Sequence, residues 1–275
     1  MTNPIVSIMG LVLSMITEAI VLYFLLPMLE EVGAVRKNFK GMDIPVSAGL
    51  SFPVTVLFVY LLYGFGSWYE QTYHLFILGI IFICFLGFID DMLGARDTLG
   101  FRGHFGALFR GRLTTGGLKA LGGGLIALFV AFFSSQGWGN ILLNTLILAL
   151  FTNMLNLLDL RPGRAVKGFL FFFVAIAGIA GLHINYLLVA PLLGAVLWYF
   201  PVDLRARAMM GDAGSNVLGF SLGYLVMTSL SFPGRMGVLV FLIGMHLYTE
   251  KYSLTNTIEN NTILRKIDRI GRSEG

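Results

Sequence analysis

Nine long apolar stretches constrain this 275-residue chain more than any other feature of its sequence. A helix needs about 20 apolar residues to cross the hydrocarbon core of a bilayer. With 56% hydrophobic and only 12% charged residues, the chain also lies outside the usual range of soluble domains. We therefore predict an all-α polytopic bundle of about nine transmembrane helices, over residues 5–29, 44–65, 75–89, 118–133, 141–158, 169–184, 186–201, 217–232 and 236–248.

The distribution of basic residues predicts the orientation of this bundle. With the N-terminus outside and the C-terminus in the cytoplasm, 18 of the 19 basic residues fall on the cytoplasmic side, and the exception is Arg235. The net charge of +4 therefore indicates topology and contact with membrane lipids, and it requires no nucleic-acid partner. We predict a multi-pass transmembrane domain over residues 1–251 and a cytoplasmic amphipathic tail over residues 252–275, with apolar residues at roughly helical spacing: Ile258, Ile263, Leu264, Ile267 and Ile270.

Two adjacent carboxylates, Asp90 and Asp91, end the third apolar stretch. Such a pair at a membrane boundary is costly unless a cation compensates its charge. Mg²⁺ is the expected cation, because it takes oxygen ligands and binds through one or two carboxylates together with substrate phosphates. The pair therefore indicates a phosphate-handling site at the membrane face, with capping of a helix end as an equal alternative.

Further polar residues lie at the predicted cytoplasmic ends of other helices. Lys119 opens the fourth helix, where its ammonium group and the free helix N–H groups both favour an anion. Asn153, Asn156 and Asp159 recur at spacings that place them along one side of the fifth helix. The two asparagines either line a cavity or hydrogen-bond to a neighbouring helix.

Asp212 stands between Gly211 and Gly214, where the eighth helix is predicted to begin. Glycine allows a ligand to approach the backbone closely. With other carboxylates on the same face, Asp212 is interpreted as a metal ligand, and an N-cap is the alternative. The basic residues Arg36 and Arg164 either meet the phosphates of a lipid or nucleotide or anchor the chain at the cytoplasmic surface.

Taken in order, these motifs resemble the polyprenyl-phosphate N-acetylhexosamine-1-phosphate transferases, which make the first membrane-bound intermediates of peptidoglycan, teichoic acid and O-antigen. The resemblance rests on Phe-Ile-Asp-Asp at 88–91, Lys119, the segment from Asn153 to Asp159, and Met-Gly-Asp-Ala-Gly-Ser at 210–215. It implies transfer of a sugar-1-phosphate from a UDP-sugar, of the N-acetylhexosamine type, to undecaprenyl phosphate, with release of UMP. Members of this family often form homodimers.

The resemblance also implies roles for individual residues. Asp212 would hold Mg²⁺, and Asp90 and Asp91 would assist the metal site or handle the lipid phosphate. Asn156 and Asp159 would position the nucleotide or the metal. Lys119 would clamp phosphate.

Two features depart from the family pattern. Residues 160–164 follow Asp159 where the family has glycine and a second aspartate, and residues 259–266 contain no histidine where the family has a histidine-rich motif before a tenth helix. A catalytically silent relative that binds polyprenyl phosphate or envelope-assembly partners is therefore an alternative, although the retained carboxylates argue against it. A transporter is a third interpretation. Transporters tend to have internal repeats and polar residues near the bilayer midplane, whereas here Glu18 is almost the only charged residue deep within a predicted membrane span and no internal repeat is visible.

Overall fold

The computed structural model describes residues 4–94, 111 and 114–272. Eleven α-helices and one two-stranded hairpin make up this part of the chain. The hairpin strands are β1 (Val35–Lys37) and β2 (Asp43–Pro45), and a 3-10 turn, Ala48–Leu50, follows them. The helices are α1 (Pro4–Glu31), α2 (Ser51–Phe65), α3 (Tyr73–Leu93), α4 (Thr115–Ser134), α5 (Trp138–Leu158), α6 (Arg164–Ala180), α7 (Tyr186–Leu204), α8 (Gly211–Ser229), α9 (Phe232–Lys251), α10 (Leu254–Asn260) and α11 (Thr262–Arg269).

Seven helical segments of the described chain are long and apolar enough to cross a membrane. They comprise α1, α2 with its preceding 3-10 turn, α3, α4, α5, α6 with the 3-10 turn that follows it, and α7. The all-α, multi-pass prediction is confirmed at this level. Helices α8 and α9 cover the last two predicted stretches, but α8 begins with the polar sequence Gly-Asp-Ala-Gly-Ser-Asn. The count of nine spans and the orientation of the chain remain predictions.

Helix α8 forms the centre of the bundle and is buried along nearly its whole length. It packs against α3, α5 and α6. Small residues allow this close packing, as in many membrane helix bundles. A Cβ atom at Gly87 in α3 would clash with the backbone of Asp212, and one at Gly219 would clash with the backbone of Phe151 in α5. The N-terminus of α8 is therefore held directly against the last turns of α3.

Backbone hydrogen bonds connect the hairpin to the segment that precedes α8. Met209 N–H donates to the Pro45 carbonyl at 2.7 Å, and Ala48 N–H donates to the Met209 carbonyl at 3.0 Å. Gly49 N–H donates to the Met210 carbonyl at 3.0 Å. Two segments more than 150 positions apart in sequence thus meet at the point where α8 begins, and together they fix its first turn.

Gly87→Ala is expected to destabilise the protein by about 2 kcal/mol, because the added methyl group overpacks the contact between α3 and the backbone of α8. Thermal unfolding in detergent measures the effect. Gly124→Ala in α4 is the matched control, since no atom lies within 4 Å of the position its Cβ would take. Equal melting temperatures for the two variants would show that α3 and α8 do not meet as described.

Candidate active site

The ends of three helices bring Asp90, Lys119 and Asp212 into one ion cluster. Asp90 lies in the last turn of α3, Lys119 follows the first turn of α4, and Asp212 lies in the first turn of α8. Lys119 Nζ is 2.9 Å from Asp90 Oδ2, and it also contacts Asp212 Oδ2. Their side chains are 18–25% exposed, so a substrate can reach the cluster.

Helix α5 adds Asn156 to this cluster. With its amide oriented to satisfy both neighbours, the Asn156 NH₂ group donates to Asp212 Oδ1 at 2.8 Å. Its carbonyl oxygen accepts from Lys119 Nζ at 2.9 Å. The ammonium of Lys119 is thus surrounded by oxygens from three helices: α3, α5 and α8.

Asn153, one turn earlier in α5, is directed to a different partner. Its Nδ2 lies 3.0 Å from Nε2 of His246 in α9, and His246 Nδ1 lies 2.8 Å from the Leu242 carbonyl. Since a carbonyl only accepts, Nδ1 carries the ring hydrogen, and Nε2 accepts from Asn153. This contact is the interhelical hydrogen bond that the sequence left open as the alternative for the asparagines.

Asp91 lies next to Asp90 in sequence but has different surroundings. Its side chain is buried and accepts from Ser47 Oγ at 2.6 Å, from Asp212 N–H at 3.0 Å and from Ala213 N–H at 3.2 Å. A carboxylate that accepts from the first free N–H groups of a helix caps it and complements its dipole. Asp91 therefore caps α8, a helix that begins 120 positions further along the chain.

Gly211 and Arg36 complete the surroundings of Asp91. Gly211 adopts a φ of +71°, which favours glycine, and a Cβ atom there would clash with the Asp91 carboxylate. Arg36, in β1, donates to the backbone carbonyl of Asp91. The structure thus places Gly211 and Arg36 beside the cluster, where their contacts are to the protein's own carboxylate and backbone.

Asp159 follows the last residue of α5 and lies close to other acids. Burial raises its pKa well above the ordinary value, and the carboxylates of Asp203, Asp212 and Asp91 raise it further. Asp203, at the end of α7, accepts a hydrogen bond from Gly163 N–H at 2.9 Å. Asp159 thus stands three residues after Asn156 of the ion cluster, and Asp203 contacts the other end of the loop that Asp159 begins.

The side chain of Arg164, a candidate for binding substrate phosphate, is paired within the protein. Its side chain is 5% exposed, and it pairs with Asp268 of α11 through two hydrogen bonds, Nε to Oδ1 at 2.8 Å and Nη2 to Oδ2 at 3.1 Å. Its Nη1 donates to Thr255 Oγ1 at 3.0 Å. Each of the three guanidinium nitrogens thus donates a hydrogen bond to the C-terminal tail.

The donor atoms of the ion cluster fit a hard divalent cation. Within the described ranges, three or more His, Cys, Asp or Glu residues nowhere gather around a common metal position. Mg²⁺ does not need such a cage, because it keeps several waters and takes one or two carboxylates with substrate phosphates. Asp90 and Asp212 supply two carboxylates, and Asn156 supplies an amide oxygen, around a position that already holds a positive charge.

Three residues that make buried contacts around the site and the candidate residue Arg164 were not singled out from the sequence. Ser47 has a positive φ of 64°, and no spacing pattern relates it to Asp91. Asp203 lies in a polar segment after an apolar stretch, but its partner is a backbone N–H in another loop. Asp268 lies in the predicted amphipathic tail, where an acid among basic residues gives no signal of burial.

Together these features define a multi-pass membrane protein whose helix ends converge on a cluster of carboxylates and a lysine. The chain belongs to glycosyl transferase family 4, the polyprenyl-phosphate N-acetylhexosamine-1-phosphate transferases, because residues 73–230 match the profile of this family. The resemblance seen in the motifs is thereby confirmed. The matched region runs from the start of α3 to the residue after α8 and contains the whole ion cluster.

Comparison with curated proteins found no match. Membership of the family implies transfer of a sugar-1-phosphate to a polyprenyl phosphate, with a nucleotide-sugar as the donor. Members of the family typically use Mg²⁺.

Proposed function

We propose that this protein transfers a sugar-1-phosphate from a UDP-sugar of the N-acetylhexosamine type to undecaprenyl phosphate, and releases UMP, at the cytoplasmic membrane face. The product would be a lipid-linked intermediate of a cell-envelope polymer. The observation that carries the proposal is the position of Lys119 between Asp90 and Asp212 in a chain of this family. A silent relative would have no need to keep these three ionisable groups together.

The reaction forms one bond and breaks one. An oxygen of the lipid phosphate attacks the β-phosphorus of the UDP-sugar, and the bond from that phosphorus to the bridging oxygen breaks. The electron pair leaves with UMP. The attacking oxygen is largely ionised near neutral pH, because the second pKa of a phosphate monoester is about 6. A strong general base is therefore not required, and the protein's task is to position two anions and to stabilise charge.

The cluster assigns different tasks to its members. Asp212 would hold Mg²⁺, with Asp90 and Asn156 in reach, and the ion would neutralise the diphosphate of the donor. Lys119 would supply a second positive charge that binds a substrate phosphate. Asp91 contributes indirectly, because it fixes the first turn of α8 and thereby the backbone of Asp212. Arg36 of β1, whose guanidinium donates to the Asp91 carbonyl near the end of α3, adds positive charge for the lipid phosphate.

The test is UMP release by the purified protein with undecaprenyl phosphate and a panel of UDP-N-acetylhexosamines. We expect release with at least one donor, loss of release after chelation, and recovery when Mg²⁺ is added. Omission of undecaprenyl phosphate is the control, because it distinguishes transfer from hydrolysis of the donor. Folded protein that binds the lipid phosphate but releases no UMP with any donor would contradict the proposal and favour the silent relative.

A further inference from the structure

The C-terminal tail is docked on the loop that follows α5. This loop, residues 159–163, begins three residues after Asn156, which contacts Lys119 and Asp212 of the ion cluster. Residues 160–163 of the loop also belong to one of the two segments that depart from the family pattern. The helices α10 and α11 therefore contact the site region at the point where the sequence is unusual.

Polar contacts hold the tail in place. Within α10 and α11, Asp268 is the one buried residue, whereas Ile263 and Ile267 are 70% and 50% exposed. Asp268 is paired on one side with Arg164 and on the other with Arg272, whose Nη2 lies 3.1 Å from Asp268 Oδ2. Because the apolar side chains of α11 point away from the protein, its docking depends on this ion-pair network.

The same network reaches the backbone of the loop. Arg272 donates to the Pro162 carbonyl from Nε at 3.2 Å and from Nη2 at 3.1 Å. Lys167, in the first turn of α6, donates to the carbonyls of Ile267 and Asp268 at 3.1 and 2.7 Å. Cations at the last carbonyls of a helix are favourable. The C-terminal part of the loop and the first turn of α6 are thereby joined to the tail.

We propose that the tail is a positioning element of the site, in which Asp268 fixes the loop 159–163 and through it Asp159. This inference rests on the proposed function for its kinetic consequence, but not for its structural one. In this arrangement Arg164 serves the tail and makes no contact with substrate. A buried charge that loses its partner is strongly destabilising, so removal of Asp268 releases the tail from Arg164 and leaves the loop without its support.

The experiment compares Asp268→Ala with Glu259→Ala in the full-length protein. Glu259 also pairs the tail with the loop, through Arg161, but at 3.8 Å and with both side chains at least 40% exposed. Exposed ion pairs of this kind contribute little. Hydrogen exchange of the amides in residues 159–167 is the structural readout. We expect at least tenfold faster exchange in Asp268→Ala, and no change in Glu259→Ala or in α3 of either variant.

The kinetic readout separates positioning from general stability. A misplacement of about 1 Å costs about 10²-fold in rate, so we expect kcat/KM for the UDP-sugar to fall by about this factor in Asp268→Ala, with a raised KM and an unchanged KM for the lipid phosphate. If Asp268→Ala does not fold, Asp268→Asn, which keeps one acceptor and the side-chain volume, is measured in the same way. Unchanged exchange in residues 159–167, or faster exchange with unchanged kinetic constants, would overturn the proposal. If the unaltered protein transfers no sugar with any donor, the proposed function fails, and the exchange comparison still decides whether Asp268 fixes the loop.

Discussion

Asp212→Asn is expected to lower UMP release by about 10²–10³-fold, which is the range for removal of one preorganised electrostatic group from a site. The substitution keeps the size of the side chain and removes its charge. In the structure that carboxylate contacts Lys119 with one oxygen and accepts from Asn156 with the other, so its charge organises both neighbours. As the proposed ligand of Mg²⁺, it would also hold the cation that neutralises the diphosphate of the donor.

The measurement is steady-state UMP release over a range of Mg²⁺ concentrations. Loss of a metal ligand predicts that part of the activity returns at high Mg²⁺, whereas loss of a purely structural contact predicts no such recovery. Asp43→Asn is the matched control, since Asp43 is an exposed carboxylate in the hairpin that adjoins the site segment. A variant Asp212→Asn with full activity and an unchanged Mg²⁺ requirement would remove Asp212 from the reaction.

The sequence predicted the members of the ion cluster better than their partners. Four members of the cluster could be identified because each lies at the end of an apolar stretch, where an ionisable or amide group indicates a function. They are Asp90, Lys119, Asn156 and Asp212. The ends of neighbouring helices at one face of a bundle lie close together, so we expect these residues to converge. The pairing of particular oxygens with particular nitrogens depends on how each helix is rotated about its axis. The periodicity of the sequence defines this rotation only approximately, so two neighbouring residues cannot be told apart.

The different environments of Asp90 and Asp91 could not be predicted for this reason. Successive helical residues point about 100° apart, so one carboxylate faces Lys119 while the next faces the N-terminus of α8. In the structure Asp90 pairs with Lys119 and Asp91 caps a helix, whereas the Mg²⁺ site remains a prediction. The cap belongs to a helix distant in sequence, and its position depends on the backbone contact at Gly87, which the sequence does not reveal.

The docked tail illustrates a second limit. The sequence predicts an amphipathic segment at the cytoplasmic surface over residues 252–275, and its place at that surface remains a prediction; the structure has two short helices there, α10 and α11. Its docking to the protein is determined by one buried acid among several basic residues. Charge patterns along the sequence indicate a surface but do not reveal that Arg164, 104 positions earlier, is the partner of Asp268.

Asp91→Ala is expected to destabilise the protein by about 3 kcal/mol, because three hydrogen bonds to its carboxylate are lost at roughly 1 kcal/mol each. Ser47 Oγ and the N–H groups of Asp212 and Ala213 lose their acceptor. Asp90→Ala should have a much smaller effect on stability, since Asp90 is partly exposed and its ion pair with Lys119 is reachable by water. Both variants are expected to lose activity, Asp90→Ala through the cluster and Asp91→Ala through displacement of Asp212.

Thermal unfolding of the two variants in the same detergent, together with UMP release, separates these causes. Asp91→Asn refines the comparison, because an amide retains one oxygen that can accept from the helix N-terminus. Its melting temperature should therefore lie between those of Asp91→Ala and the unaltered protein. If Asp90→Ala unfolds at the lower temperature and Asp91→Ala at that of the unaltered protein, Asp91 does not cap α8. Asp91 would then have no stabilising role of its own, because the cap is the contact that gives it one.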